Sequence, residues 1–497
     1  MTDHFLALDI GTTEVRALVF DQRLRPVSKA GEELEVAFPQ PGRVETDPDD
    51  LWRRLLGCIS RCLEQVPSDR IAAVGITNQR ETAVLWDADS GEPACPAIGW
   101  QDKRTVDRCE ALREPHQDRV AAKTGLRIDP YFSATKVAWA LENVDRVREL
   151  AGQGRLRFGT VDSWVLWKLT GGTVHATEPS NASRTLLLDI HSLDWDPELA
   201  AIFGVDPAIL PELRPSIGEI ARTAIPEIER ALPVTGMLGD QQASLFGLGG
   251  FGPEVVKATY GTGLFALVNS GTEPARGEGV LTTIAWQKAG EPPLYALEGS
   301  ILSGGAAVQW LRDGLGIIRD YDEAERLAAG LPDNGGVHFV PALAGLGAPY
   351  WDHATQGTLV GLTRGTEKAH IVRATLEGLA HQAADTLRAM QEALGTGFSR
   401  LRTDGGGSRN GFLMQFQAEL LGIPVERSSV ADATARGAAG AAAVAIGVLD
   451  EDGMAGLQEA DRVFTPEWPG AEREAAVAKW RAVLAEVRQG YQRLGGS

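Results

Sequence analysis

Short apolar runs alternate with polar turns at the start of the chain, and the same pattern returns about one domain length later. Phe5 to Ile10 carries Asp9 near its end, Gly11-Thr12-Thr13 follows, and a second run spans Ala17 to Phe20. This predicts two strands joined by a tight, hydroxyl-bearing turn. Val255 to Ala258, then Tyr260-Gly261-Thr262-Gly263, then Leu264 to Val268 repeat it, so the two halves read as related units.

Three further apolar runs each end in a polar segment. Ile71 to Thr77 leads into Asn78-Gln79-Arg80-Glu81, Pro233 to Leu238 into Gly239-Asp240-Gln241-Gln242, and Leu401 to Asp404 into Gly405-Gly406-Gly407-Ser408-Arg409-Asn410. Helical spacing dominates from Ala369 to Leu394, where Ile371, Val372, Leu376, Leu379, Ala383, Leu387 and Met390 share a face. Helices are also predicted at Phe412 to Leu421, at the Ala-rich run beginning at Ala433, and at Glu472 to Tyr491, the last packing on the second domain. Repeated prolines between Asp206 and Pro233 predict irregular surface chain with short elements.

The 497 residues are 43% apolar and 23% charged, ordinary globular material long enough for two α/β domains. A net charge of -19 without dense Lys and Arg patches argues against nucleic acid or an anionic membrane as partner. Cys58, Cys62, Cys95 and Cys109 lack zinc or disulfide spacing, and Cys58 and Cys62 suit one buried helix face. No secretory pattern opens the chain, and the Ala433 to Leu449 run contains Arg436 and is short for a membrane span. A cytoplasmic protein is expected.

The polar ends of the runs hold the candidate chemistry. Asp9 with Thr12 and Thr13 could cradle phosphate and hold magnesium through water, or form a plain hairpin turn. Asp240 could be a catalytic acid facing a ligand, or a helix N-cap. Arg80 and Glu81 could bind hydroxyl groups or form a surface ion pair. Trp100, Tyr131 and Phe132 could pack on a small polyol or be core. Neither a Walker phosphate loop nor a protein-kinase motif occurs, so any phosphoryl transfer uses another architecture.

Together these segments resemble the FGGY carbohydrate kinases. Gly357-Thr358-Leu359-Val360-Gly361-Leu362 with His370-Ile371 and Ala374-Thr375-Leu376-Glu377 fits the C-terminal family signature, and Tyr131 to Asn143 nearly fits the N-terminal one, with Ala140 in place of a larger apolar residue. Ile76 to Thr82, Ile128 to Ser133, Asn181-Ala182-Ser183-Arg184-Thr185, Gly239 to Gln242 and Gly345 to Asp352 place the likeness nearest the members that phosphorylate glycerol.

The resemblance implies two actin/hexokinase-like (ribonuclease H-like) α/β domains, residues 1-248 mainly polyol-binding and 249-497 mainly nucleotide-binding, with the cleft between them. It implies glycerol and ATP as substrates, Mg2+ as cofactor, and a homodimer or homotetramer. It implies glycerol held by Arg80, Glu81, Tyr131, Asp240 and Gln241 and flanked by Trp100 and Phe265, with Asp240 as general base. ATP phosphates are implied near Thr12, Thr13, Arg16 and Thr262, the rest of the nucleotide near Gly305, Gln309, Gly406 and Asn410, and magnesium at Asp9. A kinase for another short polyol or ketose, such as erythritol or xylulose, and an ATP-driven switch protein are the competing readings.

Two departures from the resemblance bear on function. Glu14-Val15 follows the paired threonines where small hydroxyl residues are usual, and a carboxylate near phosphate is unfavourable unless paired or turned away. Ile220 to Leu232 lacks the glycine-rich loop with which some relatives bind fructose 1,6-bisphosphate, so inhibition by that sugar phosphate is not expected.

Overall fold

The computed structural model describes residues 3–430 and 432–495. Its first sheet begins as an antiparallel meander of β1 (His4–Ile10), β2 (Glu14–Phe20) and β3 (Pro26–Glu33). β4 (Ile71–Asn78) lies parallel to β1, β6 (Pro233–Gly239) parallel to β4, and β5 (Ile217–Arg222) closes that edge antiparallel to β6. The order is β5-β6-β4-β1-β2-β3.

The second sheet comprises β7 (Val255–Tyr260), β8 (Leu264–Gly271), β9 (Leu281–Trp286), β10 (Leu294–Ile301), β11 (Arg400–Asp404), β12 (Val425–Ser428) and β13 (Ala460–Phe464). Its order, β9-β10-β8-β7-β11-β12-β13, reproduces the first arrangement. β10, β8 and β7 form the antiparallel meander, β11 and β12 continue parallel to β7, and β13 is the antiparallel edge. The sequence repeat is therefore a repeat of topology, extended in the second half by β9.

Helix α1 (Pro48–Gln65) starts where Asp47 accepts the amide of Asp49, and it buries Leu51, Leu55, Cys58, Ile59 and Cys62. Both its thiols donate into β2, Cys58 to the Val15 carbonyl and Cys62 to the Ala17 carbonyl. Four more helices matter below: α2 (Asp240–Gly247), α3 (Lys368–Leu394), α4 (Gly411–Leu421) and α5 (Ala433–Ala445).

Although α5 lies far along the chain, it packs on β1, β4 and β6 of the first sheet. Small residues permit the approach. A Cβ on Gly75 of β4 would stand 2.1 Å from the Ala438 carbonyl oxygen, and one on Gly437 would stand 1.8 Å from that of Ala243 in α2. Phe5, Ala7, Leu238 and Phe246 of the first half thereby share one core with Trp286, Ala296 and the α5 alanines.

Two expectations are refined. One of the short elements in the proline-bearing stretch, Ile217–Arg222, is an edge strand of the main sheet, with Pro215 and Pro226 outside it. Asp240 is the first residue of α2 rather than its cap, a position taken by Gly239, and the Asp240 carboxylate accepts the Gln241 amide at 2.8 Å.

Candidate active site

The carboxyl ends of β4 and β6 lie side by side, Asn78 registered against Gly239, so the segments that follow both strands enter the same space. Arg80 Nε sits 3.2 Å from Asp240 Oδ1 and 3.9 Å from Glu81 Oε1. Arg80 and Glu81 are buried, whereas the Asp240 side chain keeps 32% of its surface exposed and is within reach of a ligand. Burial pushes the Asp240 carboxyl up, and the Arg80 guanidinium and Lys257 ammonium pull it back toward the ionised form. The positive end of α2 favours the same form.

Glu81 occupies the left-handed region at φ 61°, a conformation that costs a residue with a side chain and persists only where its surroundings hold it. Ser133 Oγ and Lys136 Nζ donate to its carbonyl at 2.9 and 3.2 Å. Arg184 Nε donates to its carboxylate at 2.6 Å. The strained turn is thus clamped from both its backbone and its side chain.

Glu298 of β10 completes this charge network from the second half. Arg80 and Arg184 both donate to its carboxylate, Arg184 Nη2 at 2.8 Å. Burial opposes ionisation of Glu298, yet the two guanidiniums hold its carboxyl down to about 2. The sequence reading gave Glu298 no role and quoted Arg184 only within a motif. The available signal was an acid inside the apolar run Leu294 to Ile301.

Aromatic rings adjoin this network, with Arg184 Cζ 5.5 Å from the Tyr131 centroid. The Trp100 ring meets those of Tyr131 and Phe265 edge-on, with centroids 5.6 and 6.2 Å away. Trp100 Nε1 donates to Thr12 Oγ1 at 2.9 Å, which ties this ring cluster to the β1–β2 turn. In that turn, Arg16 bonds both Asp9 and Asp432, the latter at 2.7 Å, so its guanidinium is shared between two carboxylates. Glu14 lies 3.8 Å from Arg16 Nε with its side chain half exposed.

Three glycine-bearing turns converge in the second half. The Gly305 amide donates to the Gly261 carbonyl at 2.8 Å, the Ala306 amide to the Thr262 carbonyl at 3.1 Å, and Gly405, at φ 84°, lies so near Tyr260 that a Cβ would meet its carbonyl oxygen at 2.6 Å. Gly406 is open above this junction, and Gln309 is exposed at the end of the short helix Gly305–Gln309. Asn410 Oδ1 caps α4 by accepting the Leu413 amide at 2.9 Å, which leaves both hydrogens of its NH2 group for a ligand.

Between these turns and Asp240 lies a polar chain. Lys257 Nζ donates to Gln241 Oε1 and to Thr259 Oγ1, the second at 2.9 Å. Thr259 Oγ1 donates to Asp404 Oδ1, and Ser244 Oγ of α2 to Asp404 Oδ2 at 3.0 Å. Sequence reasoning missed Lys257 and this use of Asp404. The signal for Lys257 was a charge inside the apolar strand Val255–Tyr260, whereas Asp404 ends its own strand.

Residues 4–247 match the N-terminal domain of the FGGY family of carbohydrate kinases and residues 256–446 its C-terminal domain. The chain belongs to the FGGY family. Among its relatives, the glycerol kinase of Symbiobacterium thermophilum is 49% identical, with 98% of each chain covered. Glycerol kinase 2 of Thermotoga maritima is 47% identical, covering 97% of this chain and 98% of its own length. A solved structure of Plasmodium falciparum glycerol kinase with ADP superposes with a TM-score of 0.92 at 31% identity, with 98% of each chain covered. The gluconate kinase of Lactobacillus acidophilus, 21% identical with a TM-score of 0.86, shares the FGGY fold. Two actin/hexokinase-like domains are thus this chain's architecture.

Proposed function

We propose that this protein transfers the γ-phosphoryl group of ATP to the 3-hydroxyl of glycerol, giving sn-glycerol 3-phosphate and ADP. The observation that carries this reading is the reachable Asp240 carboxylate beside Arg80, in a charge network that meets the Trp100, Tyr131 and Phe265 ring cluster where Arg184 lies 5.5 Å from the Tyr131 centroid. Full-length likeness to the relatives named above supports it.

In this mechanism Arg80, Glu81 and Gln241 hold the glycerol hydroxyls while Trp100 and Phe265 flank its carbons and Tyr131 completes the ring cluster. As the 3-hydroxyl oxygen attacks phosphorus, its proton passes to Asp240, the bond to the β–γ bridging oxygen breaks, and ADP leaves. Little covalent chemistry is asked of the protein; positioning and charge complementarity carry the rate. Thr12, Thr13 and Thr262 stand where hydroxyl and amide donors would meet phosphate oxygens, with Gly305, Gln309, Gly406 and Asn410 beside the rest of the nucleotide. Arg16 fixes Asp9 next to them.

Asp9 suits Mg2+, which takes one or two carboxylates and fills its remaining positions with water and phosphate. One Asp9 oxygen receives Arg16, and the other makes no hydrogen bond among the described residues. Likewise, among those residues no three His, Cys, Asp or Glu side chains form a cage. Bound there, the ion would neutralise phosphate charge. We place the enzyme in the cytoplasm as a homodimer or homotetramer, as the family resemblance implies. Among the described residues no helix is long and apolar enough to cross a membrane.

A coupled assay of ADP release tests the reading. Glycerol should accelerate release many-fold over ATP alone, and of glycerol, erythritol and xylulose, glycerol should have the highest kcat/KM. Glycerol-independent turnover, or a larger kcat/KM for a longer acceptor, would overturn it.

A further inference from the structure

Lys257 has no exposed surface, lies on β7 between β8 and β11, and among the described residues makes no hydrogen-bonded ion pair with a carboxylate. A lysine is seldom sealed from water without such a partner. Its two recorded acceptors are neutral, Gln241 Oε1 from the first half and Thr259 Oγ1 on its own strand. We propose that Lys257 is a positioning residue for phosphoryl transfer: its ammonium sets the amide of Gln241 and holds Asp240 ready as an ionised base. This rests on the glycerol kinase reading.

The first part follows from donor chemistry. An ammonium can only donate, so the atom of Gln241 facing Lys257 must be the amide oxygen, and the NH2 group must point the other way. There Gln241 Nε2 lies 3.3 Å from Asp240 Oδ2. The Gln241 backbone amide donates to Oδ1, and Arg80 Nε stands 3.2 Å from that oxygen as an ion pair. Lys257 therefore dictates which donor approaches the second Asp240 oxygen, the one left to meet a substrate hydroxyl.

The second part is electrostatic. The charged groups facing Lys257 are Asp404 at the end of β11, Asp240 at the start of α2, Arg80 after β4 and Glu298 on β10. Burial lowers the ammonium's pKa to about 8, against the pull of Asp404 and Asp240. Thr259 links the ammonium to Asp404, accepting from Lys257 and donating to the Asp404 carboxylate. Asp404 precedes Gly405 to Gly407, so the chain of contacts runs from the proposed base to the glycine turn proposed for the nucleotide.

The pH profile of kcat/KM for glycerol, measured at saturating ATP with ADP release as readout, tests the proposal on two variants. Wild-type enzyme should show an acid limb from Asp240 and an alkaline limb near pH 8 as Lys257 loses its proton. Lys257→Met keeps the length and apolar stem. It should lower kcat at least ten-fold, move the acid limb upward and abolish the alkaline limb. Thr259→Val removes an acceptor that stabilises the ammonium, so it should shift the alkaline limb to lower pH without abolishing it. Far-ultraviolet circular dichroism and thermal melts establish that each variant is folded. An alkaline limb unchanged in both folded variants would overturn the proposal. If Lys257→Met does not fold, an unmoved limb in Thr259→Val overturns it by itself. A wild-type enzyme without glycerol-dependent ADP release would instead overturn the functional reading.

Discussion

Asp240 answers to two opposing demands: partial burial favours the protonated acid, while a general base must be ionised before the substrate arrives. Burial leaves the carboxyl above its usual value, and Arg80 and Lys257 pull against it toward the carboxylate. Asp240→Asn tests the role because an amide oxygen can still accept from the Gln241 amide but cannot take a proton. The expected result is kcat reduced by a factor of about 100 to 10,000, the range typical of a lost general base, with the glycerol KM changed only a few-fold. Steady-state kinetics decide it, and a near-normal kcat would reject the role. At this scale the sequence was informative where a polar residue ends an apolar run, as with Arg80, Glu81 and Asp240. It was silent on Lys257 and Glu298, which interrupt apolar strands. Their meaning depends on partners in the other half of the fold, such as Gln241 and Arg184, and no local pattern names a distant partner.

The elements were legible because their faces are one-sided. The apolar run from Phe5 became β1, the heptad-like stripe beginning at Ala369 became α3, and both threonine turns lie between paired strands. What remained hidden was which surface each element covers. The Ala433 run reads as a buried helix, yet nothing in its composition says that it lies on the first sheet and crosses α2. The crossing itself is a matter of missing atoms: a Cβ at Gly437 would meet the Ala243 carbonyl oxygen at 1.8 Å and the Gly247 nitrogen at 3.0 Å. Backbone on both sides leaves no flexible side chain to yield, so α2 or α5 must shift. Gly437→Ala should therefore lower stability by about 1–3 kcal/mol, the usual cost of overpacking, despite alanine's better helix propensity. Because α2 carries Asp240, kcat should fall as well. A thermal melt and a kinetic assay check both effects; an unchanged melting temperature would show that the helices separate freely.

For the whole molecule, the central question is which contacts between the halves stay fixed and which can open. The α2–α5 crossing and the Glu298 network are dry: Arg80, Arg184 and Glu298 are all buried, and breaking such a network strands a charge at a cost of roughly 3–5 kcal/mol. They are suited to be the fixed side of a hinge. The ring contact between Trp100 and Phe265 is different, since both side chains keep some exposure and neither carries a charge that separation would strand. Opening on that side would admit glycerol, and closing it would exclude water, which competes with the polyol as phosphoryl acceptor. Glycerol contacts residues of both halves in the proposed mechanism, and so does ATP, whose phosphates lie between the Thr12 and Thr262 turns. Each ligand alone can stabilise closure only in part, because a ligand shifts a conformational equilibrium by no more than its differential affinity for the two states. Small-angle scattering should therefore show a smaller radius of gyration with glycerol plus a nonhydrolysable ATP analogue than with either alone. The change should be insensitive to moderate salt, since the charges that define the hinge are shielded from solvent. Scattering curves that stay the same on adding both ligands would mean that the cleft does not close, and that water is excluded by the preformed walls instead.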